Sequence, residues 1–98
     1  MLSNMPAKLL LRERHQLADD AFAELRIWSV RSPARGSVHR YKYSLAYVVA
    51  GECVLRFDNE AGKGDHRHSH GSERPYHFTT AAQLIDDFWA EIDHWRRK

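Results

Sequence analysis

Apolar and polar positions alternate most clearly across the middle of the chain. Val38 to Val49 and Glu52 to Asn59 flank Ala50-Gly51, and both arms are dense in Tyr, Val, Leu and Phe. That pattern predicts a β-hairpin. A two-residue turn puts Ser44, Ala46 and Val48 on one face with Cys53, Leu55 and Phe57, the expected core face. The opposite face then carries Tyr41, Tyr43, Leu45 and Tyr47 beside Val54, Arg56 and Asp58. Because side chains alternate with period two, a one-residue slip exchanges every one of these assignments. Earlier in the chain, Lys8–Leu17 and Phe22–Val30 flank Asp19-Asp20 and read as a second hairpin. This pairs Leu17 with Phe22, His15 with Glu24, Glu13 with Arg26 and Leu11 with Trp28. A helix over Ala7–Ala23 is the rival reading, since its Leu, Arg, Glu, Gln and Ala all tolerate helix.

The period changes near the end of the chain. Leu84, Ile85, Phe88, Trp89, Ile92 and Trp95 form one stripe at helical spacing. Thr80 with Gln83 three residues on gives a capping-box start, and Arg96-Arg97-Lys98 suits the negative helix end. Between hairpin and helix, Asp58–Asp65 reads as a polar loop that His66–Ser72 continues, and Pro75–Phe78 as a short strand or extended lead-in. The fold expected is α+β: a four-stranded antiparallel sheet of two hairpins, with a C-terminal amphipathic helix packed on one face.

At 98 residues and 11.5 kDa, residues 1–98 form one expected domain, with residues 1–6 a loose N-terminus. A chain this short buries a thin core, which favours a homodimer or another partner. Its longest apolar stretch, Leu45–Ala50, is far short of a membrane span, and the first residues lack a signal-peptide profile, so the expected location is cytoplasmic. Cys53 is the single cysteine; it excludes an internal disulfide and reads as a small buried apolar residue. The net charge of +2 is too small to argue for nucleic acid unaided. Seven histidines would raise it to +9 if all were protonated.

Three groups could carry chemistry. In an extended segment His66, His68 and His70 share a side and could converge on a divalent metal such as zinc; the bland reading is a solvated loop. Arg56, Asp58, Asp65, His66 and His68 come together if the loop folds back on the hairpin. RNA cleavage without a metal needs a base for the 2′-hydroxyl, an acid for the leaving oxygen and a cation for the transition-state charge, which this set supplies. A surface salt bridge from Arg56 to Asp58 or Glu52 is the plain alternative. Tyr41, Tyr43 and Tyr47, with Arg40, Lys42 and His39, interleave rings and cations as base-stacking surfaces do, although sheet packing or a dimer surface would use them equally.

The run Tyr41–Val49, then Val54-Leu55-Arg56-Phe57-Asp58-Asn59, then Gly62-Lys63-Gly64-Asp65-His66-Arg67-His68 resembles the TumE-like family of small bacterial and archaeal toxins. The likeness extends to the Leu-Leu-Arg-Glu-Arg stretch and the closing helix, so it covers most of the chain. It implies the toxin component of a type II toxin–antitoxin pair, with a cognate antitoxin as partner; it implies no mechanism and no role for His70. Joined to the residue chemistry, the expectation is a metal-independent ribonuclease. Arg56 would hold phosphate, His66 and His68 exchange protons, Asp58 orient a histidine or Arg56, and Tyr41, Tyr43, Tyr47, Arg40 and Lys42 bind RNA. No cofactor is then needed. The alternatives are a non-catalytic protein- or metal-binding module, with the metal at His66, His68 and His70, and an inactive toxin relative.

Overall fold

The computed structural model describes residues 7–60 and 62–97; residues 1–6, expected to be loose, and Lys98 lie outside it. The elements are β1 (Ala7–Ala18), β2 (Ala21–Val30), β3 (Tyr41–Val49), β4 (Glu52–Asp58), β5 (His66–Ser69), β6 (Ser72–Pro75) and α1 (Ala81–Arg96). They form a six-stranded sheet in the order β1-β2-β3-β4-β5-β6, every neighbouring pair antiparallel, rather than the four strands expected. The first segment is strand throughout. The added pair is the histidine segment itself, turned back through His70 (φ 53°) and Gly71 (φ 77°). Two consecutive positive φ values are what a tight two-residue hairpin turn requires, and Ala50 (φ 51°) with Gly51 (φ 80°) repeats the device between β3 and β4.

Bulges correct both expected registers. Next to the first turn Ala18 faces Ala21, but Gln16 then faces Phe22 and Glu13 faces Leu25, so Leu17 is stepped over; a second shift at Leu10 leaves Leu9 opposite Trp28. In the central hairpin Val48 faces Cys53 as expected, then Tyr47 faces Leu55 and Leu45 faces Phe57, because Val54 is the extra residue. The bulge moves Leu55 and Phe57 onto the same side as Tyr43, Leu45 and Tyr47. All five are at most 2% exposed. Cys53, expected inside, is exposed.

That side is the core. Ala21, Ala23, Leu25 and Ile27 of β2 join it, and α1 covers it with Leu84, Phe88 and Ile92, one residue per turn. Each of these three contributes about 1.5–3 kcal/mol by leaving water. Thr80 caps the helix, accepting a hydrogen bond from Gln83 N at 3.0 Å. The reciprocal half of the capping box is not made: the Gln83 side chain donates forward to Asp87 at 2.7 Å. With one face under α1, the other face of the sheet is open and mixes polar residues with Phe22, Trp28, Ala46 and Val48.

Candidate functional site

Cross-strand register arranges that open face in two rows. Arg26, Ser44, Asp58 and His66 stand side by side on β2 to β5, and Glu24, Ala46, Arg56, His68 and Glu73 on β2 to β6. The rows bring Arg56, Asp58, His66 and His68 together, as the sequence suggested, and add Glu73. Asp65 does not join them. One position earlier than His66, it points to the opposite side and meets the Tyr43 hydroxyl.

Asp58 is the hinge of the cluster. Its Oδ2 lies 3.9 Å from Arg56 Nη1, and its Oδ1 lies 3.0 Å from His66 Nε2. The second contact lacks hydrogen-bond alignment, so Oδ1 is buried without a hydrogen bond. His66 is turned by its other nitrogen: Nδ1 is 3.0 Å from the Gly64 carbonyl. A carbonyl only accepts, so Nδ1 carries a proton and Nε2 is aimed at two carboxylates, Asp58 Oδ1 and Glu73 Oε2, the latter at 3.2 Å. His68 Nε2 is 3.6 Å from the same Glu73 oxygen, and the two imidazoles meet edge to face. Exposure separates them: the His66 side chain is 6% exposed and His68 44%. Lys63 binds both Glu73 oxygens, at 3.1 and 2.9 Å, and its hydrogen bond and charge hold that carboxyl below the usual range. Nε2 of His66 and of His68 and one Glu73 oxygen all lie within 4.8 Å of one another, the separation at which three side chains can share a metal ion.

Beside this cluster an open groove of about 450 Å³ has Arg56, His68, His70 and Trp95 among its walls. His70 does not continue the alternation of His66 and His68. Its positive φ in the turn carries the ring away to lie nearly parallel to Trp95, centroids 6.3 Å apart. The expected three-histidine convergence is therefore corrected to His66, His68 and Glu73. The tyrosine surface is corrected too. Tyr43 and Tyr47 are buried in the core, Tyr43 stacked on Phe78 and Tyr47 against Trp95, and Tyr41 packs half-buried near His39 and Phe78. Lys42 is exposed on the open face, and Arg40 is exposed in the loop before β3. Sequence reasoning missed Glu73 and Trp95 as site residues. The signal for Glu73 was His70-Gly71, a turn whose recognition pairs His68 with Glu73.

The other conspicuous residues build the support. Asp65 accepts hydrogen bonds from Ser37 (2.5 Å), His39 (2.6 Å) and Tyr43 (2.7 Å). Burial works against its charge, but the three donors prevail and hold its carboxyl below the ordinary value. The same contact and burial push the Tyr43 phenol well above its ordinary value, burial being the larger cause. His39 links Tyr41 to Asp65, its Nδ1 accepting from Tyr41 N–H at 3.2 Å and its Nε2 lying 2.6 Å from Asp65 Oδ2. Asn59 extends the ladder past the end of β4, accepting from Tyr43 N–H at 3.0 Å and donating to the Tyr41 carbonyl at 2.8 Å. Gly36 and Gly64 pack backbone to backbone, and a Cβ on Gly36 would stand 2.5 Å from Gly64 N. This packing fixes the Gly64 carbonyl that turns His66.

No helix among the described residues is long and apolar enough to cross a membrane. The family model described as Toxin TumE matches residues 6–96, and the chain belongs to that family. No curated protein and no solved structure matches it.

Proposed function

We propose that this Toxin TumE family member acts on RNA as the toxin of a type II toxin–antitoxin pair, cleaving the phosphodiester by acid–base chemistry, and is held in check by an antitoxin protein. The observation that carries the reading is the Arg56–His68 cross-strand pair opening on the groove beside His70 and Trp95. A guanidinium, an exposed imidazole and a flat aromatic wall are the groups that hold a phosphate, move a proton and stack a base.

In this reading Arg56 faces the phosphate, with Asp58 restraining its position. A base removes the 2′-hydroxyl proton, O2′ bonds to phosphorus, the bond from phosphorus to O5′ breaks, and an acid returns a proton to O5′. The products are a 2′,3′-cyclic phosphate and a 5′-hydroxyl. We give direct exchange with substrate to His68, whose side chain is the more exposed, and a positioning role to His66, between Asp58, Glu73 and His68. Arg56 and His68 are both accessible, so replacing either disturbs little packing.

The test is induced expression of the chain alone in bacteria, with growth and total RNA integrity followed over the same minutes. Arrest with early RNA fragmentation is expected for the parent chain, and neither for Arg56→Ala or His68→Ala produced folded and at equal level. An undiminished effect of the folded double variant would overturn the site assignment; intact RNA during arrest would overturn the ribonuclease reading.

A further inference from the structure

We propose that His66, His68 and Glu73 form a binding site for a divalent transition-metal ion of the zinc class. The set of donors is new relative to the histidine triplet visible in the sequence, because the β5–β6 turn withdraws His70 and substitutes a carboxylate from the partner strand.

Three observations converge. First, the donor atoms are already spaced as ligands. With bonds of about 2.0–2.1 Å, tetrahedral ligand atoms lie ~3.3 Å apart; here His66 Nε2 to Glu73 Oε2 is 3.2 Å and His68 Nε2 to Glu73 Oε2 is 3.6 Å. Second, the His66 tautomer is the one a metal needs. Nδ1–H donates to the Gly64 carbonyl, the usual outer contact of a ligating histidine, and this presents the Nε2 lone pair to the site. Third, Asp58 Oδ1 is buried without a hydrogen bond and stands 3.0 Å from that nitrogen, a negative charge directed at the same point. An ion there meets two imidazoles and two carboxylates, whose negative charges it shares with Arg56 and Lys63. Two imidazoles with one carboxylate suit zinc, nickel or copper and not magnesium or calcium, which prefer oxygen.

Lys63 is the competing cation, at 2.9 Å from Glu73 Oε2, and the ion displaces it from that oxygen. An ion also occupies the nitrogen atoms that proton exchange would use, so zinc bound here opposes acid–base cleavage. Binding itself is independent of whether the chain cuts RNA.

The experiment is calorimetric titration of the purified full chain with zinc chloride in metal-free buffer, with thermal unfolding in parallel. One equivalent should bind and raise the unfolding midpoint, while magnesium chloride does neither. His68→Ala and Glu73→Gln, both at accessible side chains, should each weaken zinc at least about tenfold. His70→Ala should leave it unchanged, and Lys63→Met should tighten it. No zinc binding by the folded parent chain would overturn the proposal. So would loss of binding in His70→Ala together with its retention in Glu73→Gln, which would mean chelation by the histidine triplet. Because both readouts are made without RNA, failure of the ribonuclease reading leaves this result standing.

Discussion

Removing the Asp65 carboxylate is the sharpest test of how the site is held. Its side chain is 10% exposed and receives hydrogen bonds from Ser37, His39 and Tyr43. Hydrogen bonds to a charged group contribute about 1.5–3 kcal/mol each, and orphaned buried donors cost a further share, so even with strong non-additivity Asp65→Ala should cost about 3–5 kcal/mol. That is a large part of the roughly 5–15 kcal/mol expected of a small domain. Asp65→Asn should cost less, because the amide oxygen can still accept from His39 and Tyr43 while its NH₂ faces Ser37 Oγ, which can accept. The two variants also differ from the parent in acid. The folded Asp65 carboxyl lies below its unfolded value, so its contribution is complete above that value and is lost as pH falls through the folded one. Urea unfolding of the three proteins from pH 7 to pH 3 measures both effects. The acid-side decline should be shallower in Asp65→Asn than in the parent. Parallel declines, or a cost below about 1 kcal/mol for Asp65→Ala, would refute the claim that this carboxylate ties the loops to the sheet.

Three further outcomes follow from local geometry. Ala50 holds a left-handed conformation that Asn adopts more readily, so Ala50→Asn should stabilise by about 0.5–1 kcal/mol in urea titration. Gly36→Ala drives a Cβ into Gly64 N and strains a φ of 85°; it should cost at least about 2 kcal/mol and, by moving the Gly64 carbonyl, shift the His66 imidazole NMR signals. Thr80→Ala removes the helix cap and should cost about 1 kcal/mol, read by urea unfolding followed by circular dichroism.

How much was legible follows from particular residues. The helix was, because its stripe of Leu84, Phe88 and Ile92 survives any detail of packing. The two long hairpins were, because their strands are rich in apolar and aromatic residues around short turns. Their registers were not, since a bulge such as the one at Val54 is an insertion in the ladder that no residue type announces. One such bulge moved Leu55 and Phe57 to the tyrosine side and turned an apparent RNA surface into core. Strands β5 and β6 escaped notice for a different reason: His-Arg-His-Ser and Ser-Glu-Arg-Pro carry no β-branched or aromatic residue. The grouping of Arg56, Asp58, His66 and His68 was readable as a fold-back of the loop onto the hairpin, although Asp65, expected among them, lies on the other side with Tyr43. Glu73 was not, since it depends on the unseen turn.

The neighbour-to-neighbour order of the strands has a consequence in time. Every pairing joins segments adjacent along the chain, so the sheet can assemble in the order in which the ribosome delivers it, each hairpin adding to the last without waiting for a distant partner. The helix that shields the apolar side comes last. Until α1 emerges, Leu25, Tyr43, Leu45 and Phe57 lack its cover, so the sheet can be laid down during synthesis but its core closes only when the helix follows. Closure of the core thereby waits for α1 to follow the strands, and a binder of the nascent apolar face has that interval in which to intercept it.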